Sequence, residues 1–320
     1  MSSALRGDRQ PASAGHRLRP HVDVVVPFAG SATALDEVCA RFAVLELRPD
    51  DSLLVVDNTP GRGEQNGSRS SDIDVMRASG LQTPGFARNF GATQGRAEWL
   101  VFLDADTVPA PDLLDRYFEP PPEPSTALIG GGVFDEEVPP DAPPAARYAY
   151  LRRLMSQEHT LDLGRWGFPK SVNVACRRAA FEAVGGFNVG IRAGEDADFT
   201  YRLKRAGWEV ERREAAAVIH LSRRTLRGLI EQQALWGTGA GWLGRAYPGS
   251  MPLIRDADSL WQVLGEPLKA VLRTRLRDRD AAIYAALRPT EAFARRIGRL
   301  LPNEQSTRSG GRRSSRRPSV

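Results

Sequence analysis

The chain has 320 residues, two cysteines and a formal net charge of +5, and 41% of its residues are hydrophobic. This length and composition allow one large globular domain with appended segments. The two cysteines provide neither a disulfide framework nor a metal-ligand pattern, which fits a reducing cytoplasm. The sequence has no apolar run of the roughly 18–20 residues that a transmembrane helix needs, and its start has no apolar segment typical of a secretory signal.

Predicted strands and helices alternate along the first third of the chain. Three short apolar runs are predicted to be buried strands: residues 21–27, 52–56 and 99–103. Apolar residues recur at helical spacing from Leu35 to Leu45, and Thr33 with Asp36 is predicted to form a capping box at the start of that helix. The alternation predicts an α/β fold with a mostly parallel sheet and helices on both of its faces.

The remaining patterns are shorter and lie between proline-rich or glycine-rich stretches. Residues 74–78 and 127–132 are predicted to be strands, and residues 86–97, 145–158 and 196–206 are predicted to be helices. The segment 161–194 is rich in glycine and aromatic residues and is expected to consist largely of loops.

The chain is predicted to have four regions. They are a disordered leader (1–20), an α/β domain (21–245), an accessory helical region (246–301) and a disordered tail rich in arginine and serine (302–320). The tail contributes to solubility in the simplest interpretation. The alternative is attraction to anionic lipid, worth about 1 kcal/mol per basic residue near a membrane. No segment resembles a base-reading module, so nucleic acid is not an expected partner.

Aspartates follow two of the predicted strands. Asp57 comes after the second strand, and Asp104 and Asp106 come directly after the third. Ligands collect at the carboxyl ends of strands in sheets of this kind, and Mg²⁺ and Mn²⁺ prefer oxygen ligands and are commonly shared with a diphosphate. The alternative is a plain turn, because aspartate is also common in turns.

Five segments resemble, in order, the family 2 glycosyltransferases of the GT-A type. They are the first strand with Pro27, VVDN at 55–58, GFARNFG continuing to LDAD at 85–106, GGFN continuing to GEDADF at 185–199, and RL with GW at 202–208. Together these segments cover roughly residues 21–245. The resemblance implies a GT-A, Rossmann-like domain and a sugar transfer from a nucleoside-diphosphate sugar.

The resemblance also implies roles for the residues at the strand ends. Pro27, Asp57, Arg88 and Asp104 would contact the donor nucleotide, and Asp104 and Asp106 would bind Mg²⁺ or Mn²⁺, with Asp106 the more direct ligand. The metal would stabilise the negative charge on the departing nucleoside diphosphate. Arg88 would help to hold this carboxylate cluster or the diphosphate, and an ion pair on a helix surface is its alternative role.

Asp196 is the candidate general base, by analogy with the Glu-Asp pair of the family. It would accept the proton of an acceptor hydroxyl as that oxygen attacks the anomeric carbon, which predicts direct displacement with inversion. A position at a helix N-terminus would favour its ionised form, and a capping carboxylate without chemistry is the alternative. Glu195 would orient the acceptor or support the loop.

Four further residues are weaker candidates. His220 follows an apolar run and resembles a histidine that many GT-A enzymes place near the metal or diphosphate; a structural hydrogen bond is the alternative. Trp166 and Lys170 suit sugar and phosphate respectively. Trp236 lies in QQALW, which resembles the Gln-x-x-Arg-Trp element of processive synthases, but Leu235 stands where the arginine would be. Trp166, Lys170 and Trp236 are the acceptor-site candidates, and a role in packing explains each of them equally well.

Two other functions remain open from the sequence. A sugar nucleotidyltransferase would need a basic, glycine-rich loop after the first strand, where this chain has PFAGSA without a basic residue. A non-catalytic protein that binds a glycan or nucleotide sugar could share the fold. For an enzyme, the expected donor is a UDP-, GDP- or dTDP-sugar and the acceptor a glycan or lipid-linked molecule. The expected location is the cytoplasm, with contact to an anionic membrane as an option.

Overall fold

The fold is given by a computed structural model, which describes residues 19–61, 69–70, 73–251, 265 and 278–304. The strands are β1 (Val22–Phe28), β2 (Ser52–Asp57), β3 (Arg69–Ser70), β4 (Ile73–Arg77), β5 (Trp99–Leu103), β6 (Thr107–Pro109), β7 (Thr126–Asp135), β8 (Asn173–Arg177) and β9 (Glu209–His220). The helices are α1 (Ala32–Phe42), α2 (Pro84–Ala92), α3 (Leu113–Arg116), α4 (Pro144–Arg152), α5 (Glu158–Leu161), α6 (Arg178–Ala183), α7 (Glu195–Arg205), α8 (Leu226–Ala246) and α9 (Arg279–Leu300).

These strands form one sheet in the order β3-β4-β2-β1-β5-β8-β7-β9-β6. The strands β4, β2, β1 and β5 are mutually parallel, as the alternation of strands and helices predicts. β8 runs antiparallel to both of its neighbours, β5 and β7. β7 and β9 are parallel, and β6 pairs antiparallel with β9. Parallel pairing therefore dominates the half of the sheet built first along the chain, and the other half is mixed.

Helices cover both faces of the sheet. Alternate residues of β1 point to opposite faces: Val24 and Val26 pack in one apolar cluster with Phe42 of α1, whereas Val25 packs in another with Phe199 of α7. The two-sided covering agrees with the predicted α/β class. It also explains why β1 is a continuous run of valines, since both of its faces are buried.

The segment 161–194, predicted to consist largely of loops, contains β8 and α6. β8 has only five residues, and its partners lie far away in the sequence: Cys176 is in register with Leu100 of β5 and with Leu128 of β7. Its first residue, Asn173, is polar and fully buried, and its side chain bonds with Tyr117 and two backbone carbonyls. A short strand with a polar start has no clear local pattern, so the prediction missed it.

Helix ends differ from the predictions by a few residues. The capping box of Thr33 and Asp36 is wrong, because Ser31 caps α1 and its hydroxyl accepts the Ala34 N–H at 3.1 Å. The predicted helix 145–158 stops at α4, since Arg153 adopts a left-handed backbone with φ of 50°.

Most of the predicted leader and tail lies outside the described residues. Two residues assigned to them are nevertheless buried in the fold: Arg19, which bonds with Asp51 and Asp115 at 2.5 and 2.6 Å, and Asn303. Across the described parts of the chain, no helix is long and apolar enough to cross a membrane.

Candidate active site

Three predicted site residues meet at the carboxyl edge of the parallel strands. β1 lies between β2 and β5 and is parallel to both, so Pro27, Asp57 and Asp104 leave the sheet on the same side. Phe28 is in register with Asp57. Asp104 follows β5 directly, and its backbone N–H donates to the carbonyl of Val172 at 3.1 Å. This is the edge where the sequence places a ligand site.

The Asp57 carboxylate is buried and organises the loops at this edge. Its Oδ2 accepts a hydrogen bond from Arg77 at 2.7 Å, and its Oδ1 accepts the hydroxyl and backbone N–H of Thr59 at 2.5 and 2.9 Å. Thr59 in turn accepts the Gly30 N–H, which ties in the loop after β1. The nucleotide contact of Asp57 stays a prediction. Arg77 was not predicted, although a basic residue at the end of a strand could have drawn attention.

Arg88 joins two of the predicted catalytic regions. It lies on α2 with 2% of its surface exposed, and its Nη2 donates to Asp104 at 2.5 Å while its Nη1 donates to Glu195 at 3.1 Å. Its guanidinium also stands over the ring of Phe187, 5.4 Å from the centroid. One buried cation therefore links the end of β5 to the start of α7.

Asp106 faces a second group of charges. Its Oδ2 lies 3.5 Å from Nε2 of His220, the last residue of β9, and 3.7 Å from Arg223. On the far side of the imidazole, Nδ1 is 4.0 Å from Oδ1 of Asp135. Burial lowers the pKa of His220, but the hydrogen bond with Asp106 and the nearby carboxylates outweigh it, so this pKa is raised. The sequence had predicted His220 but neither Arg223 nor Asp135.

The carboxylates at this edge fit a cation that is shared with a substrate. Among the described residues, no three His, Cys, Asp or Glu side chains are grouped so that they could hold a metal alone. Mg²⁺, however, is usually held by one or two carboxylates together with substrate phosphates. Asp106 is partly exposed at the edge, and the buried Nδ1 of His220 has no hydrogen-bond partner within the described chain. Asp104 and Asp106, with His220 beside them, therefore suit a site completed by a diphosphate.

Glu195 and Asp196 begin α7, as predicted. Gly194 precedes them with φ of 83°, a backbone conformation that favours glycine, and it turns the chain into the helix. Asp196 Oδ1 accepts the Ala197 N–H at 2.8 Å. Removal from water and the charge of Glu195 raise the pKa of Asp196 to about 7, although Ala197, Arg88 and Lys170 oppose the shift. A carboxyl group with this pKa can exchange a proton near neutral pH.

The three acceptor candidates have different neighbours, and among them Lys170 acts electrostatically on Asp196. Lys170 donates to the carbonyls of Ser156 and Leu154 at 2.6 and 3.3 Å, and burial lowers its pKa to about 8. Trp166 packs edge-on against Tyr201 of α7 at 5.0 Å. Trp236 lies under the guanidinium of Arg295, 5.2 Å from the ring centroid. Their contacts are those of supporting residues, and their acceptor role stays a prediction.

The chain matches the model of a protein family described as "Glycosyltransferase like family 2" over residues 20–239. It is 28% identical over 273 residues to the pre-mycofactocin glycosyltransferase of Mycobacterium tuberculosis, a match that covers 81% of this chain and 55% of that protein. It is also 26% identical over 202 residues to glycosyltransferase AglE of Haloferax volcanii, covering 60% of this chain and 64% of that protein. The matches thus span between 55% and 64% of the length of these curated relatives.

The fold is similar to that of the mannosyltransferase PcManGT from Pyrobaculum calidifontis, solved in complex with GDP-Man and Mn²⁺. The TM-score is 0.56 at 16% sequence identity, and the match covers 89% of this chain and 88% of that one. At this identity the likeness concerns the fold, and it agrees with the GT-A class expected from the sequence. Since the family model covers more than half of the chain, the protein belongs to glycosyltransferase family 2.

Proposed function

We propose that the chain transfers a sugar from a nucleoside-diphosphate sugar to an acceptor hydroxyl, with inversion at the anomeric carbon. The observation that carries this proposal is the bonded link from Asp104 through Arg88 to Glu195, the neighbour of Asp196. This link holds Asp104, whose carboxylate suits donor and metal binding, close to Asp196, whose carboxylate suits the role of base.

The donor occupies the edge formed by Pro27, Asp57 and Asp104 in this proposal. Asp106 and Asp104, with His220 as a further ligand, would hold Mg²⁺ or Mn²⁺, which would supply positive charge against the leaving diphosphate. The Mn²⁺ in the complex of PcManGT with GDP-Man supports a divalent ion at such a fold. Arg88 keeps Asp104 oriented, and Asp57 with Arg77 fixes the loops that face the nucleotide.

Asp196 is the base in this proposal. The acceptor oxygen forms a bond with the anomeric carbon as the bond from that carbon to the diphosphate oxygen breaks, and the hydroxyl proton passes to Asp196. No covalent sugar-enzyme intermediate is needed, so the configuration inverts. A pKa of about 7 makes the carboxylate basic enough to take this proton at neutral pH while leaving part of the population ionised.

The acceptor is a glycan or a lipid-linked molecule in cell-envelope or related glycoconjugate synthesis, and the enzyme works in the cytoplasm in peripheral contact with an anionic membrane. α9 supports the membrane contact, because exposed apolar side chains recur on its last turns with spacing of one helix face. These side chains are Phe293, Ile297 and Leu300, exposed Leu301 follows the helix directly, and the nearby basic residues are Arg296 and Arg299.

Calorimetric titration with UDP-, GDP- and dTDP-sugars tests the donor site directly. We expect at least one donor to bind with Mn²⁺ or Mg²⁺ and to bind at least about tenfold more weakly after chelation or in Asp106→Ala. Asp196→Ala should keep donor affinity within about threefold, because the base acts on the acceptor. Equal binding of every donor with and without metal would contradict the proposed site.

A further inference from the structure

Asn303, the third residue after α9, is a fully buried side chain bonded to the segment that precedes Glu195. Its Oδ1 accepts the Ala193 N–H at 3.1 Å and the Thr238 hydroxyl at 2.8 Å, and its Nδ2 donates to the Ala193 carbonyl at 2.9 Å. No part of its surface is exposed. One side chain therefore satisfies both backbone polar groups of Ala193 and connects them to α8.

The backbone around Asn303 adds two contacts to the same segment. The Arg192 N–H donates to the Asn303 carbonyl at 2.9 Å, and Ile191 forms an isolated antiparallel bridge with Glu304. Three consecutive residues, 191–193, are thus paired with residues 303–304. Leaving a buried backbone donor or acceptor without a partner costs about 1–3 kcal/mol of folding free energy. This pairing therefore strongly restricts where the segment can lie.

α8 closes the other side of the segment. A Cβ on Gly239 would lie 2.8 Å from the Ala193 carbonyl carbon and 3.0 Å from the Gly194 backbone nitrogen, so α8 and the segment are in direct backbone contact. Gly194 then turns into α7 with its left-handed backbone. Residues 191–194 are held between α8 and the end of the described chain.

The close packing of α8 and α9 fixes the position of Asn303. A Cβ on Gly298 of α9 would overlap the carbonyl oxygen of Ala234, and one on Gly237 of α8 would overlap that of Arg295. The two helices meet backbone to backbone where these glycines face each other, which leaves little freedom for sliding. α9 ends at Leu300, and Asn303 follows five residues after Gly298.

We propose that Asn303 is a positioning residue for Glu195 and Asp196. It fixes Ala193, two residues before Glu195, and thereby sets where the first turn of α7 holds both carboxylates. The inference rests on the proposed function, since it takes Asp196 as the base. Asn303 lies beyond residues 20–239, the part that matches the family model. Residues after the family match therefore take part in the site.

The test compares Asn303→Ala with Leu287→Ala in the full chain. Leu287 is buried in α9 against α4, so its truncation destabilises the helix without touching the segment 191–194. Thr238→Val and Thr238→Ser form a second pair: valine removes the hydroxyl that bonds with Asn303, and serine keeps it. Hydrogen–deuterium exchange of the peptide covering residues 191–198, donor affinity by calorimetry and the kcat of transfer are measured for each variant.

We expect Asn303→Ala to exchange at least about tenfold faster across 191–198, including the first turn of α7, and to lose about 10- to 100-fold in kcat, since a misplacement near 1 Å costs that much. Donor affinity should stay within about threefold, because the donor edge is unchanged. Thr238→Val should show a smaller loss of the same kind, and Thr238→Ser and Leu287→Ala should not show it.

Equal kcat values for Asn303→Ala and Leu287→Ala would overturn the inference. If the unmodified protein transfers no sugar at all, the proposed function fails and exchange decides the positioning role separately. In that case, faster exchange that reaches residues 195–198 supports positioning of α7, and faster exchange confined to residues 191–193 overturns it.

Discussion

At the scale of single residues, Arg88 holds the site together because two carboxylates from distant parts of the chain share its charge. Asp104 and Glu195 are bonded to different nitrogens of one guanidinium, whose planar fork can serve two partners at once. Lysine carries the same charge at a single nitrogen. The geometry, more than the charge, is therefore what an Arg88→Lys variant removes.

We expect Arg88→Lys to fold and to lose at least about tenfold in transfer rate, because Glu195 or Asp104 is left without its partner. Arg178→Lys is the matched control. Arg178 also bonds with a buried carboxylate, Asp23 at 2.6 Å, but at the amino end of β1, away from the carboxyl edge. Steady-state kinetics and thermal melts of both variants separate the two effects. A similar rate loss in both would mean that Arg88 acts through stability alone.

The raised pKa of Asp196 can be tested without a substrate, through its effect on stability. Its pKa is raised from the ordinary 3.8 to about 7, so the folded protein binds this proton more tightly than the unfolded chain does. Stability therefore falls as the pH rises between about 4 and about 7 and stays reduced above that range. With about 1.4 kcal/mol for each pKa unit, the loss is on the order of a few kcal/mol.

Asp196→Asn removes the ionisation, so its Tm should exceed that of the unmodified protein at pH 8, and the difference should shrink towards pH 5. Asp198→Asn is the control on the same turn: Asp198 accepts bonds from Arg202 at 2.9 Å and Tyr247 at 2.6 Å, so this change should lower the Tm at pH 8. Melts of the three proteins at both pH values give the answer. A pH-independent difference for Asp196→Asn would contradict the raised pKa.

At the scale of elements, α9 is bound to the α/β domain by a buried charge. Glu291 is 3% exposed and accepts the Tyr148 hydroxyl of α4, while Arg152, Arg288 and Arg295 lie within 3.4–3.7 Å of its carboxylate. Without the Glu291 carboxylate, the three guanidinium groups would lie close together with no negative charge between them and would repel one another. The accessory helix is thus joined to the domain by charge as well as by apolar packing.

Glu291→Gln keeps the shape and removes the charge, and we expect it to lower the free energy of unfolding by about 2 kcal/mol or more. Glu231→Gln on α8 provides the comparison, since its partner Arg227 and Glu231 itself are 88% and 63% exposed. That exposed pair should contribute less than about 0.5 kcal/mol. Urea denaturation of both variants measures the difference, and equal values would show that the buried network contributes little.

The strands and helices differ in how well the sequence alone predicts them. β1, β2 and β5 are short apolar runs, and those of β2 and β5 lead into aspartates, so local patterns were sufficient for these strands and for the positions of Asp57, Asp104 and Asp106. The start of α7 was also predicted from a local pattern, in this case a helical one. β8 was missed because its stability comes from pairing with β5 and β7, which no local pattern records.

Side-chain partners across long distances were equally hidden. Arg77 bonds with Asp57, Asp135 lies 4.0 Å from His220 and Asn303 bonds with Ala193, and none of these contacts can be read from the neighbouring sequence. Arg88 was predicted to hold the carboxylate cluster or the diphosphate, and its bonds with Asp104 and Glu195 agree with the first of these roles. A motif thus located the site, and only the fold could show how its parts are connected.

In the whole molecule, the C-terminal end combines a residue buried in the fold with an arginine-rich sequence after it. Asn303 belongs to the fold, whereas the arginines of residues 305–320 follow it in a segment rich in serine and glycine. The predicted boundary of the tail at residue 302 would separate Asn303 from its partners. Truncation experiments must therefore keep Glu304 to test the tail alone.

We expect deletion of residues 305–320 to reduce co-sedimentation with vesicles that contain phosphatidylserine, because four or more arginines at about 1 kcal/mol each are lost. Donor turnover and Tm should remain as in the full chain. Deletion from residue 303 should in addition reduce transfer, since Ala193 loses its partner. Unchanged vesicle binding of the shorter deletion would contradict the membrane role of the tail.

The central claim, sugar transfer at the edge that joins Asp104, Asp106 and Asp196, is tested most directly by release of nucleoside diphosphate. The purified protein is incubated with UDP-, GDP- and dTDP-sugars, with Mn²⁺, with Mg²⁺ or with chelator, beside Asp106→Ala and Asp196→Ala. We expect metal-dependent release from one donor class, and either substitution should lower it by at least about 100-fold. Release that persists in Asp106→Ala and Asp196→Ala, or none from any donor in the presence of candidate acceptors, would contradict it.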